Sequence, residues 1–316
     1  MIAAPPLLVI AGATATGKTG LAIRVALALR EEGVPAEVIS ADSRQVFRGL
    51  DIGTAKASLA ERGGVPHHGL DLVAPDEPFS VADFVDHVAD VSSRIAAAGG
   101  LAILAGGTGL YLRAIARGLD TAALPSDPDV RARLETEFLA VGLEPLVERL
   151  RAVAPARATR IDARNPRRVV RALEIATLDG GQGPLPAPRG YAGPVTWIGL
   201  TVDPSTHAAW IAARARAQFE AGLVEEARAL RERYDPALPA FSAIGYREAW
   251  AVLDGTLTRE AAIAEDARRN LAFAKRQRTW FRTERDITWL DGTAGAPDGA
   301  ALDAARRLMG DDPLRR

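Results

Sequence analysis

The chain has 316 residues, a net charge of −1 from 39 basic and 40 acidic side chains, a hydrophobic content of 48% and no cysteine. That length and apolar share admit one large domain, or a core with an insertion. The composition excludes disulfides and cysteine-ligated zinc and fits a reducing cytoplasm; it confines any nucleic-acid role to local basic patches, and no apolar run reaches membrane-spanning length.

Only three of the basic residues are lysine, namely Lys18, Lys56 and Lys275, so each invites a specific reason. The first twenty residues carry no basic leader with a small-residue cleavage site. LLVIAG (7–12) predicts a buried strand, followed by a glycine loop and a helix over Lys18–Glu32 that Gly33 ends. AEVISADS (36–43) predicts a second strand, ending at Asp42. Residues 80–98 place Val81, Phe84, Val85, Val88, Val91 and Ile95 at helical spacing behind a serine. LAILAGGTG (101–109) predicts a third buried strand running into a glycine turn, and LYLRAIARGL a helix after it. Strands alternating with helices predict an α/β fold, a parallel sheet covered by helices on both faces.

From about Asp120 the pattern changes. Residues 127–178 read as helices with no strand between them, and the Gly/Pro-rich stretch 179–194 reads as a linker. VTWIGLTVD (195–203) returns as a strand, residues 204–284 are mostly helical, and ITWL (287–290) predicts a last strand. The remaining Gly/Ala/Asp-rich residues hold a short helix. The expected architecture is a P-loop core in two parts, 1–120 and 195–316, the second carrying a basic helix, with an all-helical insertion at 121–194.

Gly12, Gly17, Lys18 and Thr19 fill the pattern G-x-x-x-x-G-K-[ST], between a strand and a helix as it requires. The loop amides, including those of Thr14, Ala15 and Thr16, and the helix N-terminus face phosphates. Lys18 adds a point charge, and the Thr19 hydroxyl is suited to Mg²⁺. A nucleotide hydrolase carries an apolar strand ending in aspartate, but the third strand ends in Gly106-Gly107-Thr108. No lysine sits in a guanine-reading Asn-Lys-x-Asp. A small-molecule kinase stays open.

Asp42 ends the second strand, at the sheet edge where open α/β folds bind ligands. Three readings stand beside one another: a turn or helix cap aided by Ser43, an outer Mg²⁺ ligand, or a general base. Thr108 is either a structural residue of a glycine-rich turn or a hydroxyl reaching the same crevice. Two basic stretches stand out. RIDARNPRRVVRALE (160–174) holds Arg160, Arg164, Arg167, Arg168 and Arg171, and Asn165-Pro166 starts a helix within it. RRNLAFAKRQRTWFRTER (268–285) holds Arg268, Arg269, Lys275, Arg276, Arg278, Arg282 and Arg285, with Arg268, Lys275 and Arg282 every seven residues. A solvated helix face is the default for either alone; two such clusters in a slightly acidic chain point toward phosphodiester binding. His67-His68 lacks companion ligands for a metal and reads as structural.

An ordered set of blocks then resembles one family, the tRNA dimethylallyltransferases (tRNA isopentenyltransferases). The blocks are GATATGKT (12–19), DSRQVF (42–47), DIGTAK (51–56), HHGLD (67–71), FSVADF (79–84), GGTGLY (106–111), NPRRVVRALE (165–174), GLVEEA (222–227), AIGYRE (243–248) and AKRQRTWFR (274–282). The departures are Ala13 for the family's usual proline, Thr16 for serine, Phe47 for tyrosine and Ala57 for proline; none removes a reacting group.

The resemblance implies that the loop holds the diphosphate of dimethylallyl diphosphate, with Mg²⁺ as cofactor. The acceptor it implies is the exocyclic amine of the adenosine 3′ of the anticodon in tRNA. It assigns Asp42 as the base, Thr108 as an orienting hydroxyl, and Arg214, eight residues before Gly222, as a diphosphate ligand. It places contacts to the tRNA anticodon stem-loop at Asp42, Ser43, Arg44 and Gln45, at Arg167, Arg168, Val169, Val170 and Arg171, at Ala243, Ile244, Gly245, Tyr246 and Arg247, and at Lys275, Arg276, Gln277, Arg278 and Arg282. A cytoplasmic, monomeric enzyme of the shorter bacterial type, with no membrane partner, is the expectation.

Overall fold

A computed structural model describes residues 4–121, 123–181 and 187–310 of the chain. Six parallel strands form one sheet in the order β3-β2-β4-β1-β5-β6. They are β1 Leu7–Gly12, β2 Ala36–Ser40, β3 His67–His68, β4 Leu101–Gly106, β5 Val195–Thr201 and β6 Ile287–Asp291. Helices α1 Lys18–Glu31, α2 Leu59–Arg62, α3 Val81–Ala97 and α4 Gly109–Ala116 occur in the first segment. Then come α5 Pro128–Val141, α6 Glu144–Val153, α7 Pro155–Ala158 and α8 Pro166–Asp179. Last are α9 Pro204–Glu220, α10 Leu223–Arg231, α11 Tyr246–Leu253, α12 Arg259–Phe281 and α13 Asp298–Gly310.

The central strands are apolar throughout because both their faces are covered. Along β1, Leu7, Val9 and Ala11 enter one core with Phe84, Val88 and Val91 of α3. Leu8 and Ile10 enter the other, with Leu21, Val25 and Leu29 of α1 and Ala301, Ala305 and Leu308 of α13. The short C-terminal helix thus closes one face of the sheet, a role its composition does not announce. His67-His68 forms the edge strand β3, with Val38 opposite His67 and Ile39 opposite His68. His68 Nε2 lies 2.6 Å from Glu37 Oε2. Among the described residues no helix is long and apolar enough to cross a membrane.

The chain divides into two compact units: a helical one, Leu119–Arg189, and a core made of the segments up to Gly118 and from Gly190 onward. The return to the core falls before the expected Pro194, because Tyr191 already belongs to it and donates to Pro5 O at 2.8 Å. Residues 182–186 of the expected linker lie outside the described residues.

The helical unit has its own core, in which Val130, Leu134, Leu146, Val147, Leu150 and Leu173 pack together. Val169 and Val170 of α8 belong to that core, at 0% and 4% exposure, so these two expected RNA contacts are packing residues instead. Asn165 caps α8, its side chain accepting from Arg168 N at 3.3 Å. Arg167 and Arg168 are exposed. Arg171 is engaged: it pairs with the fully buried Glu174 at 2.8 Å and donates to Pro125 O at 3.0 Å. Burial pushes the Glu174 carboxyl up, but hydrogen bonds from Arg131 and Arg171 prevail and hold it below the usual range.

Candidate active site

Parallel register decides which loops meet. Ala11 stands opposite Gly106 and Ser40 opposite Ala105, so the segments after β1, β2 and β4 all leave the sheet at one carboxyl edge. They line a cavity of about 900 Å³ shared with α9, α12 and the turn before α11.

The phosphate loop runs from Gly12 to α1. Gly17 caps the helix at φ 86°, a left-handed conformation suited to glycine, and this aims the helix N-terminus into the cavity. Thr16, buried, donates to Ala13 O at 2.9 Å, and Lys18 Nζ donates to the same oxygen at 2.6 Å. Burial, reinforced by Arg214 and opposed by Asp42, pushes the Lys18 amine down to about 8. Thr19 is exposed and lines the cavity.

Asp42 faces the loop across that space. Its Oδ1 accepts from Arg44 N at 2.8 Å, the turn-cap geometry; Oδ2 has no partner among the described residues. Thr108 Oγ1 accepts from Ser43 N at 3.0 Å and so ties the turn after β4 to the turn after β2. Arg214 on α9 donates to Thr14 Oγ1 at 2.7 Å and to Asn270 Oδ1 at 3.2 Å. Asn270 in turn donates to Asp266 Oδ1 at 2.8 Å. Burial pushes the Asp266 carboxyl up to about 6, against the Asn270 hydrogen bond and with Glu248 adding to the rise.

The remaining expected residues divide by burial. Arg44, donating to Pro239 O at 2.9 Å, lines the cavity with Ala243 and Ile244. Arg247, Lys275, Arg276 and Arg282 are exposed. Gln45 is buried and structural: Ser40 donates to its Oε1 at 2.7 Å, and its Nε2 donates to Thr54 O at 3.0 Å. Tyr246 is fully buried and donates to Glu226 Oε1 at 2.7 Å. Glu226 also accepts from the backbone N–H groups of Asp51, Ile52 and Gly53 at 3.2, 2.8 and 3.2 Å, which holds the 51–56 loop. Gly245 is buried, its N–H donating to Glu248 Oε2 at 2.9 Å. Of the three lysines, Lys18 is in the site and Lys56 is a buried staple donating to Phe47 O at 2.7 Å.

His207, Asp266 and Asn270 are absent from the sequence expectation. A signal existed. His207 and Arg214 recur at i, i+7 on α9, and Asp266, Asn270 and Gln277 at i, i+4, i+11 on α12, in each case one helix face.

A divalent cation would find a hard oxygen donor in the Thr19 hydroxyl, with the Asp42 carboxylate lining the same cavity. Among the described residues no group of three His, Asp or Glu side chains could hold a metal. That donor set fits Mg²⁺, which takes few protein ligands and completes its shell with waters and phosphate oxygens.

The IPP transferase family model matches residues 45–284. The tRNA dimethylallyltransferase of Symbiobacterium thermophilum is 44% identical over 307 residues, covering 96% of this chain and 95% of that protein. The protein of the same name from Anaeromyxobacter sp. (strain K) is 45% identical over 309 residues, covering 96% and 97%. The solved full-length tRNA isopentenylpyrophosphate transferase of Bacillus halodurans superposes with a TM-score of 0.69 at 38% identity, covering 96% and 95%. A eukaryotic dimethylallyltransferase acting on tRNA shares the fold, with a TM-score of 0.79 at 24% identity, covering 99% of this chain and 81% of that one. A phosphate loop facing Asp42 and Thr108 is thus found in a chain that aligns with such enzymes over 96% of its length, and the chain belongs to the IPP transferase family, that of the tRNA dimethylallyltransferases.

Proposed function

We propose that the protein transfers the dimethylallyl group of dimethylallyl diphosphate to the exocyclic amine of the adenosine 3′ of a tRNA anticodon, releasing diphosphate. The observation that supports this reading best is the opposition, within one cavity, of the cations Lys18 and Arg214 to the Asp42 carboxylate and the Thr108 hydroxyl. The loop amides from Ala15 onward, Lys18 and Arg214 bind the diphosphate and stabilise the charge that grows on the leaving oxygens as the allylic carbon departs, the Thr14 N–H being engaged by Gln277 instead. Mg²⁺ held at Thr19 would neutralise part of the diphosphate charge when bound. Ile244 and Phe273 offer apolar wall for the five-carbon group. Asp42, through Oδ2, accepts the amine proton as the new carbon–nitrogen bond forms. Thr108 orients the Asp42 turn through Ser43.

The test combines labelled dimethylallyl diphosphate, Mg²⁺ and an anticodon stem-loop. Label should enter RNA, and Asp42→Ala should lower turnover about 10²–10⁴-fold while RNA affinity holds. Label that stays out of RNA while ATP is consumed on a small metabolite would make the protein a kinase. A near-normal rate in Asp42→Ala would remove Asp42 as the base.

A further inference from the structure

Thr14, at the crown of the phosphate loop, is held at each of its polar atoms. Its N–H donates to Gln277 Oε1 at 2.8 Å, its carbonyl accepts from His207 Nε2 at 2.8 Å, and its hydroxyl accepts from Arg214 at 2.7 Å. All three holders are themselves held or shared, Arg214 through its bond to Asn270 Oδ1 at 3.2 Å. Arg278 Nη1 lies 2.9 Å from His207 Nδ1, and Gln277 Nε2 donates to Gly107 O at 2.9 Å. A guanidinium only donates, so Nδ1 accepts and Nε2 carries the proton given to Thr14 O. Burial, with Arg278, Lys18 and Arg214 nearby, keeps His207 below the usual histidine range, consistent with that neutral ring.

The consequence for the loop follows from peptide planarity. Fixing the Thr14 carbonyl fixes the plane of the Thr14–Ala15 peptide, and hence the direction of the Ala15 N–H. Ala15 lines the cavity and sits at φ 60°, a conformation an alanine keeps only where its surroundings impose it. Gln277 adds a second constraint, because it spans from the loop to the turn that carries Thr108. A Cβ on Gly107 would stand 2.3 Å from Gln277 Nε2, so any larger residue there would push the Gln277 amide out of this position. Gln277 therefore adds a side-chain tie between the diphosphate seat and the Thr108 turn to the pairing of β1 with β4 that brings them together.

We infer that His207, Gln277 and Arg278 are positioning residues of the diphosphate site, and that the Arg278 guanidinium serves the phosphate loop and not RNA. This rests on the reading of that loop as the seat of the prenyl donor's diphosphate.

The test titrates the full-length protein with dimethylallyl diphosphate and, separately, with an anticodon stem-loop across a salt series. His207→Leu, Gln277→Leu and Arg278→Met are each expected to weaken donor binding about 5- to 30-fold, the loss of one buried hydrogen bond or more. The donor KM should rise in parallel while the RNA KM, RNA affinity and salt slope stay at wild-type values. His207→Gln, whose amide supplies one donor and one acceptor, should restore most of the donor affinity. If His207→Leu does not fold, the other two variants decide by the same readings. Arg278→Met lowering the RNA salt slope by about 1, with donor binding intact, would overturn the inference. Lys18→Ala separates the two levels. Loss of donor binding there, with none in the three variants, overturns the positioning role alone. Donor binding that survives Lys18→Ala overturns the reading of the loop and the inference with it.

Discussion

Lys18 lies between two opposing demands. Burial and the neighbouring Arg214 favour its neutral form, Asp42 favours the charged one, and the first two prevail to bring it to about 8. An incoming diphosphate is a stronger anion than Asp42 and stabilises the protonated amine, so binding and protonation are linked. The sign follows. Below pH 8 the amine is already charged and donor affinity is independent of its titration; above pH 8 binding must take up a proton, and affinity falls toward about tenfold per pH unit. Titration calorimetry from pH 6.5 to 9.5 would show the break near 8, and in buffers of different ionisation heat the proton uptake itself. A flat profile to pH 9.5 would mean that Lys18 does not contact the diphosphate.

Among the elements, α8 carries the sharpest division between a charge that faces solvent and one that holds the fold. Arg168 is exposed and Arg171 is locked onto Glu174, although both stand in one basic run. Arg168→Ala should weaken stem-loop binding, lower the salt slope by about 1 and leave the melting curve in place. Arg171→Ala leaves Glu174, which is 0% exposed, with Arg131 as its remaining cation, and should cost about 1–3 kcal/mol of stability in the helical unit. Thermal melts and salt-dependent binding on the two variants check both statements; a lowered slope in Arg171→Ala would assign that side chain to RNA as well. The sequence pattern could not separate the two arginines, since a charge run records the residue type and not the partner. The same limit applies on α12, where the exposed Lys275 and Arg276 mask the buried Asp266, Asn270 and Gln277. By contrast β1 and β4, apolar from end to end and closed by glycine turns, were legible, as were the loop, Asp42 and Thr108 that follow strand ends. β3 was not, because a two-residue strand has no period of its own and exists only through its pairing with Val38 and Ile39.

For the whole molecule, the helical unit is an insertion that leaves the core and returns to it at nearly one point. Gly190 N donates to Arg117 O at 3.0 Å, so the core holds both ends of the excursion together without help from Leu119–Arg189. The returning chain is anchored at once: Tyr191 bonds Pro5 O, and Pro194 O accepts from Leu7 N at 2.9 Å at the start of β1. Every residue proposed for the diphosphate and for the proton lies in the core unit, whereas Arg167 and Arg168 lie in the insertion. Replacing residues 119–189 by a short Gly/Ser linker closes a gap of hydrogen-bond length, at a loop-closure cost of only a few kcal/mol at most. The shortened protein should fold, melt in one transition and bind dimethylallyl diphosphate within about threefold of the intact chain, since no contact at the seat is lost. Its affinity for the stem-loop should fall about tenfold or more, with a shallower salt slope, as phosphate contacts are removed. Calorimetry on the donor and a salt series on RNA separate the two effects. Donor binding lost along with the insertion would mean that the seat is completed from the helical unit, and RNA binding unchanged would leave the basic face of α8 as a solvated surface.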